Sequence, residues 1–319
     1  MDIDLKSERE KALETVEKYK MSGKLLARYN KLINFKGAIA AVAVPLNPDG
    51  TVNHEMFNAY TDHLISIGVG GVYINGTTGE GLSLSGAERM AVVQAWFQAI
   101  RTKKPDMLVI ACISSTVVKE TLEQANFYAI MNVDALAVLP PFYHRPETND
   151  CLIRYLQSIY KAAPSLPLIY YHFPEMTNVK LDIRIFLEEA KLRVPNLAGI
   201  KYTCKDMAAI SAVGYDLRHK YKIFTGYEEC LLPMASMGID AGICALFNFR
   251  EAVTRWQAIL NYFPSDLKAA NEQQDGINDM KTIFAGGNFI HNVKKAISEE
   301  TKGLVKLGKP RPPIHAHDQ

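Results

Sequence analysis

Ala38-Ile39-Ala40-Ala41-Val42-Ala43-Val44-Pro45-Leu46-Asn47-Pro48-Asp49-Gly50 is a continuous apolar run that breaks into a turn. A run that is apolar at nearly every position fits a strand buried on both faces. The turn after it lacks the Gly-x-Gly-x-x-Gly spacing that an open, doubly wound sheet often offers after its first strand. Outward from this stretch the same unit recurs. Further apolar runs lie at Gly71–Ile74, Leu108–Ile113, Ala135–Leu139, Leu168–Tyr171, Leu197–Ile200, Lys222–Phe224 and Gly242–Leu246. Between and after them come helix-like segments near His54–Ile67, Ser85–Arg101, Val118–Met131, Asp150–Ala163, Ile183–Lys191, Met207–Val213, Glu228–Met237 and Arg250–Tyr262. Strands alternating with helices predict an α/β protein with a parallel sheet. Eight such units match a closed (β/α)8 barrel, with the open sheet as the alternative.

The flanks read differently. Residues 1–35 are rich in Glu, Lys and Leu and contain one glycine, Gly23. They are expected to form a charged helical extension packed on the outside of the main domain. The barrel is expected over 36–264, and a helical cap with an extended tail over 265–319. The cap would comprise helices at Leu267–Asn278, Met280–Phe284 and Asn288–Lys302. The tail begins at Pro310-Arg311-Pro312-Pro313 and its prolines favour an extended surface course. His315-Ala316-His317 offers too few ligands for a metal site.

Composition narrows the function. The 319 residues are 48% hydrophobic and 22% charged with a formal net charge of +2, so no basic footprint points to nucleic acid. The longest apolar stretch, Gly37–Leu46, is about half the length of a membrane span. Cys112, Cys151, Cys204, Cys230 and Cys244 form no CxxC pair and read as reduced thiols of a cytoplasmic protein. The mixed-charge start, Met1-Asp2-Ile3-Asp4, resembles neither a secretory signal nor a presequence.

In barrel enzymes chemistry sits at the C-terminal ends of the strands. The second strand ends in Asn75-Gly76-Thr77-Thr78-Gly79-Glu80-Gly81, where freed backbone N–H groups and two hydroxyls can cradle a carboxylate or phosphate, or simply form a tight turn. The fifth ends in Tyr170-Tyr171-His172-Phe173-Pro174; alternation sends only one of the two tyrosines inward, to relay a proton or to pack. The sixth reads Leu197-Ala198-Gly199-Ile200-Lys201-Tyr202-Thr203. A lysine there is either a desolvated nucleophile or a side chain snorkelling to water. The seventh leads into Gly226-Tyr227-Glu228-Glu229, whose acids could accept hydrogen bonds from a polyol or complement a helix dipole. A lysine, a tyrosine and an anion cradle on the strand ends of one barrel describe a site for an α-keto acid.

These motifs, in this order over roughly residues 36–300, resemble the N-acetylneuraminate lyase and dihydrodipicolinate synthase family. The resemblance implies that Gly76, Thr77 and Thr78 hold a pyruvate carboxylate, that Lys201 forms the Schiff base and that Tyr171 moves the proton. It also implies a homotetramer in which Tyr143, in Pro140-Pro141-Phe142-Tyr143, reaches a neighbour's site. No metal or organic cofactor is implied, only a small-molecule substrate. The synthase branch usually has an arginine shortly after the strand-five Tyr-x-x-Pro, whereas Phe173-Pro174-Glu175-Met176-Thr177-Asn178 has none; the resemblance therefore favours the lyase branch and cleavage of N-acetylneuraminate. Thr203, Gly226, Glu228 and Glu229 become sugar-side candidates. Two positions depart from the lyase pattern: Glu228 replaces the usual Asp, and Ala245 replaces the usual sugar-binding Ser. The alternatives are another pyruvate-dependent aldolase or keto-deoxy-sugar dehydratase, and a non-catalytic keto-acid or sugar sensor on the same fold.

Overall fold

The computed structural model describes residues 23–314. The first part of the expected extension, before residue 23, and the His315-Ala316-His317 motif lie outside the described residues. The strands are β1 (Gly37–Ala41), β2 (Gly71–Ile74), β3 (Leu108–Cys112), β4 (Ala135–Val138), β5 (Leu168–His172), β6 (Leu197–Tyr202), β7 (Lys222–Thr225) and β8 (Ala241–Cys244). All pairs are parallel, and β8 returns to pair with β1, closing the barrel. This is the (β/α)8 barrel that the alternation of the sequence predicts.

Alternation along each strand builds two cores. Outward residues such as Val72, Leu136, Tyr170 and Ile200 meet the helices. Inward residues such as Ile39, Tyr73, Ile110, Tyr171, Phe224 and Ile243 fill the barrel. Ala41, Ala135, Ala137, Ala198 and Ala241 also face inward, and their small size leaves room for the three aromatic rings. The first strand is shorter than its apolar run. Val42, Ala43 and Val44 stay buried, but Pro45 cannot donate to a ladder and the chain turns away.

Helix α1 (Gly23–Ile33) corrects the outside placement expected for the extension. Leu32 is fully buried among the inward barrel residues, with Tyr29 and Phe35 packed beside it. Arg28 donates to Ser165 O at 3.1 Å, Lys31 pairs with Asp134 at 2.8 Å, and Tyr29 donates to Lys220 O at 2.8 Å. Ser165 and Asp134 lie in loops that precede strands, and Lys220 ends the helix just before β7, so α1 stoppers the N-terminal mouth and leaves chemistry to the other end.

Seven helical passages link the strands. They comprise α2 (Met56–Ser66), α3 (Gly86–Lys103), α4 (Val118–Met131), α5 (Asn149–Ala162), the short α6 (Pro174–Thr177) with α7 (Ile183–Ala190), the pair α8 (Met207–Ala212) and α9 (Tyr215–Lys220), and α10 (Leu231–Ser236). The sequence reading gave α8 but not α9. Gly214, at φ 79°, breaks the helix, which restarts at Tyr215. Likewise the helix expected from Glu228 begins as a 3-10 turn, Glu228–Cys230, before α10. Helix α3 is fixed at its start by a capping box in which Ser85 and Glu88 satisfy each other's backbone N–H.

After β8 come α11 (Arg250–Tyr262), α12 (Leu267–Met280) and α13 (Phe289–Glu300). These helices brace the catalytic end. Gln274 of α12 accepts from Leu232 N at 2.8 Å and donates to Glu228 O at 3.0 Å. Lys294 of α13 is buried in an ion pair with Glu80. The chain then returns across the barrel end, where Leu307 O accepts from Leu46 N at 2.9 Å.

His172 points outward between Tyr170 and Tyr202, 4% exposed, with Nδ1 unpartnered. Burial pushes its pKa down to about 4, below the 6.5 of a free imidazole. Above pH 6.5 both folded and unfolded forms are neutral; as pH falls from there toward 4, only the unfolded chain takes up the proton, and stability is lost. The loss should reach about 3 kcal/mol at about 1.4 kcal/mol per unit. We expect His172→Phe, which keeps a ring of similar size, to flatten the fall in urea stability between pH 7.5 and pH 5. An unchanged slope would place the acid sensitivity elsewhere.

Candidate active site

The C-terminal mouth holds a cavity of about 230 Å³. Its walls include the β2 loop from Asn75 to Ser83, Cys112, Ser114, Tyr171, Phe173 and, from the returning tail, Ile314. Lys201 lies just below. In the parallel register it stands opposite Tyr171 on β5 and Phe224 on β7, so its side chain points inward. It is 4% exposed, which removes the snorkelling alternative. Its Nζ rests 4.1 Å from the ring centroids of both Tyr73 and Tyr171. Among the described residues no carboxylate oxygen lies within 4.0 Å of it. The amine is thus held by two π faces and leaves its reacting end uncommitted.

Tyr171 is the inward member of the tyrosine pair, while Tyr170 packs on Phe186 in the outer layer. Tyr171 meets Tyr73 edge-on at 5.8 Å and stacks on Phe173 at 5.6 Å. Tyr73, which the sequence reading passed over, has its phenol pushed well above its ordinary value, chiefly by burial and then by Cys112 and Tyr171. It serves as a neutral wall beside the amine. Its inward position in β2 was the available signal.

The β2 loop is a tight ring of backbone. Asn75 and Glu80 both take left-handed conformations, at φ 60° and 51°. Gly81 N donates to Gly76 O at 3.2 Å and Glu80 N to Thr77 O at 3.1 Å. A Cβ on Gly81 would stand 1.9 Å from Asn75 O, so the ring closes only with glycine there. Gly76 and Thr77 line the cavity; Thr78 is buried in the same loop but does not line it.

Thr203, Gly226, Glu228 and Glu229 gather at the β6 and β7 ends, outside that cavity's lining. Thr203 is 3% exposed with an unpartnered Oγ1, and a Cβ at Gly226 would stand 1.9 Å from that oxygen. Glu228 is 5% exposed, and Oε1 accepts from Ala245 N at 2.9 Å and Leu246 N at 3.0 Å. Burial pushes its carboxyl up, opposed by the backbone N–H of Leu246 and by its own. Glu229 is partly exposed; burial would raise it, but the hydrogen-bonded Lys281 at 2.7 Å holds it below the usual carboxylate range. Tyr143 is 80% exposed, its ring against His144, and takes no part in its own chain's cavity. The larger omission of the sequence reading is the Glu80, Lys294 and Arg311 cluster, whose members are far apart in the chain.

Residues 34–319 match the model of the dihydrodipicolinate synthetase family. N-acetylneuraminate lyase of Mus musculus is 32% identical over 286 residues, covering 89% of this chain and 88% of that protein. The Homo sapiens enzyme of that name is 31% identical over 283 residues, covering 88% and 87%. Among solved structures, Proteus mirabilis N-acetylneuraminate lyase superposes with a TM-score of 0.80 at 27% identity, covering 88% of this chain and 92% of that one. The Aliivibrio salmonicida lyase gives 0.81 at 27% identity, covering 88% and 91%. With its closed barrel and its lysine in the mouth, the chain belongs to the dihydrodipicolinate synthetase family, as a carbon–carbon lyase of the N-acetylneuraminate lyase-like kind.

Proposed function

We propose that the protein is a class I, Schiff-base aldolase that reversibly cleaves N-acetylneuraminate to N-acetylmannosamine and pyruvate. The observation that carries this is the Lys201 amine, buried, with no carboxylate partner among the described residues, and resting against Tyr171, which lines the cavity together with the β2 loop. Binding alone would not need an amine in that position, which disfavours the sensor. The open-chain sugar presents its C2 ketone to Lys201, and loss of water gives an iminium. Gly76, Thr77 and Thr78 hold the carboxylate. Tyr171 gives its phenol proton to the water that leaves as the iminium forms and then, through or beside the substrate carboxylate, takes the C4 hydroxyl proton; the C3–C4 bond breaks, its electron pair passes into the iminium, and the C4 aldehyde leaves as N-acetylmannosamine. The enamine is protonated at C3 and water releases pyruvate and the free amine. The lysine supplies the electrophilic catalysis, so no metal or organic cofactor is assigned a step.

The sugar end supports a second reading. Glu228 Oε1 is spent on the β8 loop, and Ala245 offers that loop's backbone N–H but no hydroxyl. The longer Glu thus braces backbone, and one sugar contact, worth about 0.5–1.5 kcal/mol net, is absent at Ala245. This favours a related pyruvate-dependent aldolase or keto-deoxy-sugar dehydratase. We expect measurable cleavage of N-acetylneuraminate, with Ala245→Ser lowering KM about threefold to tenfold, the equivalent of one hydrogen bond. Turnover of 2-keto-3-deoxy-sugar acids without N-acetylneuraminate cleavage would establish the second reading. We further propose a cytoplasmic homotetramer, supported by five free thiols and by the exposure of Tyr143 outside its own chain's cavity lining.

A further inference from the structure

The returning tail ends on the β2 loop. The Arg311 backbone N–H donates to Glu80 Oε2 at 2.8 Å. Its guanidinium reaches Gly50 O at 3.0 and 2.7 Å, in the β1 loop, and Ser83 O at 3.0 Å, just past the β2 loop. It also pairs with Glu88, the acid of the α3 capping box. That hydrogen bond, before all else, holds the Glu88 carboxyl down to about 2. Glu80 itself is 3% exposed in a left-handed conformation that a glutamate adopts only when its surroundings impose it. Its other oxygen is paired with Lys294, 1% exposed, on α13. One buried carboxylate therefore joins the tail, the last helix and the loop, and Ile314, three residues beyond Arg311, lines the cavity.

We infer that Arg311 and Lys294 are positioning residues that, through Glu80, set the Asn75–Gly81 backbone to receive the keto-acid carboxylate. This rests on reading that loop as the carboxylate cradle. Neither residue touches substrate. Arg311 ties the β1 loop, the β2 loop and the start of α3 into one block, and Lys294 neutralises the acid at its centre. Removing the clamp should therefore cost recognition of the carboxylate and leave the amine's reactivity intact.

The test is reductive trapping at Lys201 with two probes: pyruvate, and acetone, which carries the ketone without the carboxylate. In Arg311→Ala we expect the half-saturating concentration of pyruvate to rise about tenfold or more, the loss of a charge-assisted hydrogen bond's worth of order. That of acetone should not change, and Arg311→Lys should recover part of the loss. An unchanged pyruvate value, or equal shifts for both probes, would overturn the inference, the second by showing general damage. If Arg311→Ala fails to fold, Arg311→Lys carries the same comparison against the unaltered protein. Failure of pyruvate to label the unaltered protein at Lys201 would overturn the aldolase reading first, and this inference with it.

Discussion

Replacing Lys201 by alanine should lower turnover about a millionfold or more, the scale on which enzymes exceed the uncatalysed reaction, because no second group can form the iminium. Neighbouring chemistry offers no substitute. The Tyr73 and Tyr171 rings lie against Nζ, Phe224 stands opposite on β7, and Lys294 is committed to Glu80. Lys201→Arg should fail equally, since a guanidinium remains protonated and has no lone pair to attack with. Both variants should stay folded. Among the described residues the lysine makes no ion pair, and β6 is held by its ladders to β5 and β7. The check is kcat for cleavage together with a melting curve. Residual activity within about a hundredfold of the parent would mean that the chemistry runs through a general acid–base route instead.

Tyr171→Phe should weigh more on bond breaking than on imine formation. The ring keeps its edge contact with Tyr73, its stack on Phe173 and its face toward Nζ, so only the hydroxyl is lost. Cleavage should fall by about a hundredfold to ten-thousandfold, the usual yield of one positioned acid–base group. Capture of pyruvate by Lys201 should be slower but persist. Tyr73 is poorly placed to take over, because burial keeps its phenol protonated. Equal loss of pyruvate capture and cleavage would confine Tyr171 to the imine-forming step or the binding surface, and the C4 proton relay would pass elsewhere.

Much of this fold is legible in the chain because each strand is buried on both sides. Unbroken apolar runs mark β2 and β8 to within a residue or two, and the alternation rule separates Tyr171 from Tyr170. Lys201 stands out as one charge in an apolar strand. What the sequence hides has physical causes. Leu32 lies on an amphipathic helix whose charges suggest solvent, and nothing local says that its apolar stripe faces a barrel floor. Helix α9 depends on one left-handed glycine. The Glu80 clamp joins residues more than two hundred positions apart, and side-chain networks of that span have no periodic signature. Glu228 carries the reverse lesson. Its place after β7 suggests a sugar contact, and one of its oxygens also accepts from the Ala245 and Leu246 N–H groups. Backbone partners compete with ligands for the same carboxylate, and spacing alone does not decide between them.

The most direct measurement is borohydride reduction of the folded protein in the presence of pyruvate, followed by intact and peptide mass spectrometry. The Schiff-base mechanism requires one covalent adduct per chain, on the peptide carrying Lys201, absent without pyruvate and absent in Lys201→Ala. A folded protein that takes up no adduct, or takes it up on another lysine, would contradict the assignment of Lys201 as the nucleophile.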